Sequence, residues 1–196
     1  MTVDMPKELI LILGGARGGK SSFAQALVAK RGGSATFIAT AQAGDEEMRL
    51  RIEEHRRSRP AAWRTIEEPL RPSLALATSA PAETILLDCL TLLVSNILLQ
   101  DEDAAAAACN VDQEVEDLLR AYAAGPATLI VVSNEVGLGV VPAYELGRTY
   151  RDLLGRANQR FAQAADRVYW MLAGLPLEVK ASGIAEQWKE SRVENE

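Results

Sequence analysis

Eight residues near the start of the chain carry the clearest chemistry: Gly14-Gly15-Ala16-Arg17-Gly18-Gly19-Lys20-Ser21 fits GxxxxGK(S/T) in full. Glycines allow a backbone to wrap a polyphosphate with its N–H groups, and a helix opening at the end of the loop adds its dipole. In such loops the lysine neutralises the β- and γ-phosphates and the hydroxyl of the last residue ligates magnesium. A plain glycine-rich turn between a strand and a helix is the bland alternative. The context favours the phosphate loop, because Leu9 to Leu13 is an apolar run and Lys20 to Arg31 has helical spacing. Asp88 closes a second apolar run, Thr84 to Asp88, where this class places the acid that holds magnesium through water. It could equally cap the helix that follows, and the two roles are compatible.

The single histidine, His55, lies in Glu53-Glu54-His55-Arg56-Arg57-Ser58-Arg59-Pro60. It follows Ile52 by three residues and Met48 by seven, so all three share a helical face. A histidine near a helix C-terminus is commonly a packed or capping residue. Its setting offers another reading, because Arg49, Arg51, Arg56, Arg57 and Arg59 put five arginines within eleven residues of an acidic chain. Such a run is ordinarily a solvated basic face. Guanidinium groups beside an imidazole also suit a nucleophile that attacks a triphosphate, since they hold phosphate oxygens and favour the neutral ring. Asn134-Glu135, after a later strand, offers a side-chain acceptor for substrate or magnesium. Gly137 and Gly139 favour the plainer reading of a capped loop.

The elements that must position these residues alternate along the chain. Buried strands are expected at Leu9 to Leu13, Ala35 to Thr40, Thr84 to Asp88, Thr128 to Ser133 and Arg167 to Leu172, with a short edge strand at Leu177 to Lys180. Helices are expected at Lys20 to Arg31, Gly44 to Arg59, Leu90 to Leu99, Asp103 to Ala124 and Ala143 to Ala165, and a polar tail from Ser182. The pattern predicts an α/β P-loop NTPase (RecA-like) sandwich: one domain over residues 1–196, with a mostly parallel sheet flanked by helices. Ligands of such sheets sit beyond the carboxyl ends of the strands, which gathers Gly14 to Ser21, Thr40, Asp88 and Asn134 around one crevice.

Bulk properties narrow the partners. The chain has 196 residues, 48% hydrophobic and 24% charged, with a formal charge of -6. That balance suits a globular enzyme and argues against a nucleic-acid groove, which needs a basic face. Cys89 and Cys109 have no metal-ligand spacing and read as reduced thiols. Met1 to Glu8 lacks the pattern of a signal peptide, and no apolar run is long enough for a membrane span, so a cytoplasmic protein is expected.

Taken together, the motifs resemble the bifunctional adenosylcobinamide kinase/adenosylcobinamide-phosphate guanylyltransferase family of cobalamin biosynthesis. The resemblance runs from about Leu9 to Lys180. It is carried by GGARGGKS, by FIATAQ at Phe37 to Gln42, and by DEEMRLRIEEHRRSRP at Asp45 to Pro60. WRTIEEP at Trp63 to Pro69, ILLDCLTLLVSN at Ile85 to Asn96, SNEVGLGVVP at Ser133 to Pro142 and RDLLGRANQRFAQAADRVY at Arg151 to Tyr169 continue it. Two positions depart from the family pattern: Gly18 replaces a serine, and Arg57-Ser58 replaces an acid and a glycine before the retained Arg59-Pro60.

The resemblance implies two reactions on one chain. A nucleoside triphosphate, ATP or GTP, phosphorylates adenosylcobinamide. His55 then takes GMP from GTP and passes it to adenosylcobinamide phosphate, giving adenosylcobinamide-GDP. It also implies that Gly14 to Ser21, Ala39-Thr40-Ala41, Arg56 to Arg59 (Arg56, Arg57, Ser58, Arg59), Glu67, and Asp88 to Thr91 line the nucleotide site, with Ser21 and Asp88 on magnesium. A homotrimer with sites near subunit interfaces is expected. Two other readings stand beside it: a small-molecule P-loop kinase with His55 structural, and a nucleotide-driven switch or assembly ATPase without a small acceptor.

Overall fold

The computed structural model describes residues 6–57, 59–80, 83–100 and 103–180. In chain order these form β1 (Leu9–Gly14), α1 (Lys20–Arg31), β2 (Ala35–Ala39), α2 (Glu46–Arg57), β3 (Arg64–Glu67), α3 (Pro72–Leu76) and β4 (Thr84–Asp88). There follow α4 (Leu90–Leu98), α5 (Ala104–Ala124), β5 (Thr128–Val132), α6 (Glu145–Ala164), β6 (Arg167–Leu172) and β7 (Leu175–Glu178). Ser58 and the expected tail from Ser182 lie outside the described residues.

Continuous apolar runs became central strands because both faces of the sheet are covered. The sheet has seven strands in the order β3-β2-β4-β5-β1-β6-β7, parallel except for β7. Alternate residues of each strand point to opposite faces. Leu9, Leu11, Ile85, Leu87, Leu129 and Val131 pack with side chains of α4, α5 and α6, whereas Ile10, Ile12, Leu86, Ile130 and Val132 pack with Ala24 and Val28 of α1. Each fully buried leucine or isoleucine contributes roughly 1.5–3 kcal/mol. Two separate apolar layers therefore hold the strand ends in a fixed row.

Two elements carried too weak a signal to be anticipated. β3 is a four-residue edge strand with mostly exposed side chains, so it shows no apolar run. α3 has five residues, and its second, Ser73, is anchored by Glu114 of α5: the Ser73 N–H donates to Glu114 Oε1 at 2.9 Å and the hydroxyl to Oε2 at 3.0 Å. The edge strand expected at Leu177 to Lys180 sits two residues earlier. A two-residue turn at Ala173-Gly174, both with positive φ, reverses the chain into an antiparallel hairpin, pairing Leu172 with Leu175.

Candidate active site

The carboxyl ends of β4, β5 and β1 stand side by side, and each delivers one part of the site. β1 runs into the phosphate loop. Gly14 has φ +150°, and a Cβ there would meet the Met171 carbonyl oxygen of β6 at 2.7 Å, so only glycine fits this exit. Gly19, with φ +83°, caps α1 in the left-handed region and turns the loop into the helix. Between them the Gly18 N–H donates to the Gly15 carbonyl at 3.2 Å, and Lys20 Nζ donates to the same oxygen at 2.7 Å. Lys20 is only 7% exposed, so its cation sits at the base of the loop.

The loop opens on a cleft of about 850 Å³. Its walls include Ala16, Arg17, Gly18, Gly19, Lys20 and Ser21 from the loop, Ala39 at the end of β2 and Ala41 beyond it, Asp88 at the end of β4, and Asn134 after β5. Asp88 does not cap α4; the cap position belongs to Cys89 and makes no side-chain cap bond. Instead Asp88 Oδ2 is buried without a hydrogen-bond partner among the described residues. A buried carboxylate oxygen without a partner, across from a phosphate loop, has the chemistry to bind a cation or accept a hydrogen bond.

Helix α2 forms the opposite wall. Asp45 accepts the Met48 N–H at 2.7 Å and starts the helix, and His55 stands in its last turn with Arg56 and Arg57, whose cations suit the dipole there. The shared face of Met48, Ile52 and His55 turns toward the cleft, and His55 is half-buried on its wall. The arginines divide. Arg49 bonds Glu46 and Glu53 along the exposed surface of α2, and Arg57 approaches Glu53 at 3.8 Å; neither lines the cleft, so the basic run is partly the solvated face it resembles. Arg56 pairs with Glu67 at the end of β3, and both face the cleft.

Arg59 is the less ordinary case. Its guanidinium carbon lies 3.5 Å from the centroid of the Phe37 ring, and Nε and Nη1 are buried without partners among the described residues. Burial lowers its affinity for a proton and Arg56 adds repulsion, while the Asp88 charge opposes both. The site thus brings two guanidinium nitrogens and one carboxylate oxygen, none with a partner among the described residues, within electrostatic reach of each other. Phe37 as the platform for Arg59 gave no signal in the sequence.

Besides Arg57, four expected contacts are not on the wall. Gly14 is buried beneath the loop, and Gly15 contributes its carbonyl to Lys20 rather than lining the cleft. Thr40 is fully buried, donating to the Cys89 carbonyl at 2.7 Å and accepting the Cys89 N–H at 2.8 Å, so its hydroxyl staples β2 to β4. Thr91 accepts the Asn134 N–H at 2.7 Å and is likewise closed off. Both threonines support the floor from beneath. Asn96 reinforces it, donating to the Thr40 and Pro69 carbonyls at 2.7 and 3.0 Å. Cys89 lines the floor, but burial first and the Asp88 charge second push its thiol up to about 12. Glu135 accepts the Gly137 N–H at 2.5 Å, as expected for a capped loop, and leaves Asn134 as the polar side chain β5 offers to the cleft.

A complete phosphate loop at the end of β1, with β5 inserted between it and the strand bearing Asp88, defines a RecA-like P-loop nucleotide-binding protein. A solved structure from Pyrococcus horikoshii OT3 (project PH0250) shares this fold, with a TM-score of 0.52 at 7% identity over 90% of this chain and 88% of that one. Within the class, residues 10–179 match the family described as cobinamide kinase / cobinamide phosphate guanyltransferase, and the chain belongs to that family. It is 49% identical over 171 residues to the bifunctional adenosylcobalamin biosynthesis protein CobP of Pseudomonas aeruginosa, covering 87% of this chain and 96% of the relative. It is 41% identical over 181 residues to the bifunctional adenosylcobalamin biosynthesis protein CobU of Salmonella typhimurium, covering 88% and 99%.

Proposed function

We propose that this enzyme phosphorylates adenosylcobinamide with ATP or GTP, then guanylylates the product through a GMP adduct on His55. The observation that supports both steps on one chain is that His55 and Lys20 line the same cleft. In the first step the acceptor hydroxyl oxygen attacks the γ-phosphorus. The bond to the β,γ-bridging oxygen breaks, its electron pair leaves with the nucleoside diphosphate, and the hydroxyl proton goes to solvent. In the second step an imidazole nitrogen of His55 attacks the α-phosphorus of GTP, and pyrophosphate leaves with the electron pair of the broken P–O bond. A phosphate oxygen of adenosylcobinamide phosphate then attacks that phosphorus, the P–N bond breaks, and the imidazole departs. Covalent catalysis divides one difficult transfer into two easier ones.

Each residue has a share. The loop backbone from Ala16 to Ser21 and the Lys20 ammonium hold the polyphosphate, while Gly14 and Gly15 shape the loop behind them. Arg56 and Arg59 hold phosphate oxygens beside His55, Glu67 orients Arg56, and the walls at Ala39 and Ala41 shape the nucleotide site. Ser21 and Asp88 would hold magnesium, and the donors fit: hard oxygens, one of them a buried carboxylate oxygen with no hydrogen-bond partner among the described residues. Such an ion is normally bound by one or two carboxylates plus substrate phosphates, so no larger acidic cluster is required. When bound it neutralises charge on the phosphate oxygens.

We further propose a cytoplasmic homotrimer. Leu138, Val140 and Val141 are exposed apolar side chains that such an assembly would cover, and no helix among the described residues is long and apolar enough to cross a membrane. Sedimentation velocity at micromolar concentration tests the oligomer, and a monomer would end that part of the proposal.

The test of the chemistry is incubation with α-labelled GTP and magnesium, followed by peptide mass spectrometry. The expected product is an acid-labile, alkali-stable GMP adduct on the peptide bearing His55. The His55→Ala variant should lose the adduct while still phosphorylating adenosylcobinamide, and Lys20→Ala should cripple both activities. Phosphorylation without any protein-bound GMP would reduce the enzyme to a plain kinase.

A further inference from the structure

A closed ring of hydrogen bonds lies directly under the row of strand ends. It joins Thr91 of α4, Ser133 and Asn134 after β5, and Asn158 of α6. Its polarity follows from one acceptor. The Asn134 carbonyl cannot donate, so the Asn158 atom 3.1 Å away must be the amide nitrogen, which turns Asn158 Oδ1 toward Ser133. The Ser133 hydroxyl then donates to Oδ1 at 2.7 Å and spends its one proton there. Thr91 Oγ1 lies 3.5 Å from Ser133 Oγ, a long approach, and accepts the Asn134 N–H at 2.7 Å. Three of the four contacts are short and have a fixed direction: Asn134 N–H to Thr91, Ser133 to Asn158, and Asn158 to the Asn134 carbonyl. Ser133, Asn158 and Thr91 are 0, 5 and 6% exposed, so water does not compete. Buried polar networks of this kind hold their members in place.

The ring consumes both main-chain groups of Asn134, while none of its four bonds uses the Asn134 side chain. The backbone is clamped a second time one residue on, where the Glu135 N–H donates to the Gly14 carbonyl at 3.2 Å. Asn134 is thereby held rigidly between the strand that carries the phosphate loop and the strand that carries Asp88, and it lines the cleft with Lys20 and Asp88. A neutral amide at that place can donate to a phosphoryl oxygen without repelling the incoming acceptor hydroxyl. Preorganised donors of this kind stabilise charge developing in a transition state.

Resting on the phosphorylation step proposed above, we propose that Asn134 is a catalytic residue that binds the transferring γ-phosphoryl group, and that Asn158 is its positioning residue. Guanylylation of His55 breaks the bond at the α-phosphorus and releases the terminal phosphates intact. It therefore draws less on this contact.

Kinetics of both half-reactions, measured side by side in the wild-type protein and two variants, test the idea. Asn134→Ala should lower kcat for adenosylcobinamide phosphorylation about 100-fold, the scale of losing one preorganised donor. The KM for the triphosphate and the yield of GMP on His55 should change less than about threefold. Asn158→Asp keeps the shape and the acceptor toward Ser133 but replaces the donor toward the Asn134 carbonyl with an oxygen. It should reproduce the kcat loss in weaker form, and Asn158→Gln should not rescue it, because the longer side chain cannot close the ring. Equal loss of both half-reactions in Asn134→Ala, or unchanged phosphorylation, overturns the proposal. If Asn158→Asp does not fold, Asn134→Ala alone decides the catalytic contact and Thr91→Val tests the ring from its other side. A wild-type protein that forms the GMP adduct yet never phosphorylates adenosylcobinamide would refute the functional reading itself.

Discussion

Replacing Arg59 by methionine should raise the stability of the unliganded protein while weakening its grip on nucleotide. The methionine keeps an unbranched apolar stem against Phe37, so packing on that ring largely survives. What disappears is a half-buried cation whose Nε and Nη1 are both buried and without partners among the described residues. Each such donor costs about 1–3 kcal/mol when left without a partner. Against that relief stand the lost cation–π contact, about 1–2 kcal/mol, and the lost attraction to Asp88, on the order of 1 kcal/mol. The balance is a gain of about 1 kcal/mol, or roughly 2–4 °C in Tm for a domain of this size. Binding moves the other way. Two charge-assisted hydrogen bonds to phosphate oxygens are worth about 1.5–3 kcal/mol each, so the variant should lose about 100-fold or more in affinity for a non-hydrolysable GTP analogue. Thermal unfolding with and without the analogue measures both quantities in one experiment. An Arg59→Met protein that melts lower and binds the analogue as tightly as before would show that this guanidinium is a structural cation and that its orphan donors are not reserved for phosphate.

Two other outcomes follow from groups outside the proposed chemistry. At pH 8 a thiol raised to about 12 is ionised to only about one part in ten thousand, so Cys89 should alkylate over a thousandfold more slowly than an ordinary thiol near 8.5. Exposed Cys109 is the internal control, and peptide mapping after timed iodoacetamide treatment that finds the two labelled at similar rates would contradict the burial of Cys89. Glu114 is buried, and burial raises its carboxyl above the usual glutamate range despite the bonds from Ser73. A raised value favours the protonated form in the folded state, so its contribution to stability is full below about 4.3 and is lost as pH climbs through the higher folded value. The Glu114→Gln variant should match the wild type near pH 4.5 and gain on it as pH rises, as read from denaturant midpoints; a constant difference across pH would show that Glu114 does not titrate with folding.

Much of this protein could be read directly from its residues. Strands Leu9–Gly14, Thr84–Asp88 and Thr128–Val132 announce themselves because central parallel strands bury both faces and so need unbroken apolar runs. The phosphate loop is legible for a similar reason: its function depends on consecutive backbone groups, and only a narrow run of residue types permits that path. The common face of Met48, Ile52 and His55 is set by helical periodicity alone. Other features depend on partners far apart in the chain, and no local pattern reports them. Nothing in the arginine run says that Arg49 and Arg57 remain on the solvated surface while Arg56 and Arg59 turn inward, because Glu67 and Phe37 choose among them from other strands. Thr40 and Thr91 stand next to the site in sequence, yet their hydroxyls are consumed by Cys89 and Asn134 beneath it. Asn158 lies in the middle of α6, and its meeting with Ser133 exists only because that helix packs across the sheet. Periodicity and motif are short-range and survive in one dimension, whereas hydrogen-bond polarity and charge pairing are settled by which surfaces the folded chain presses together.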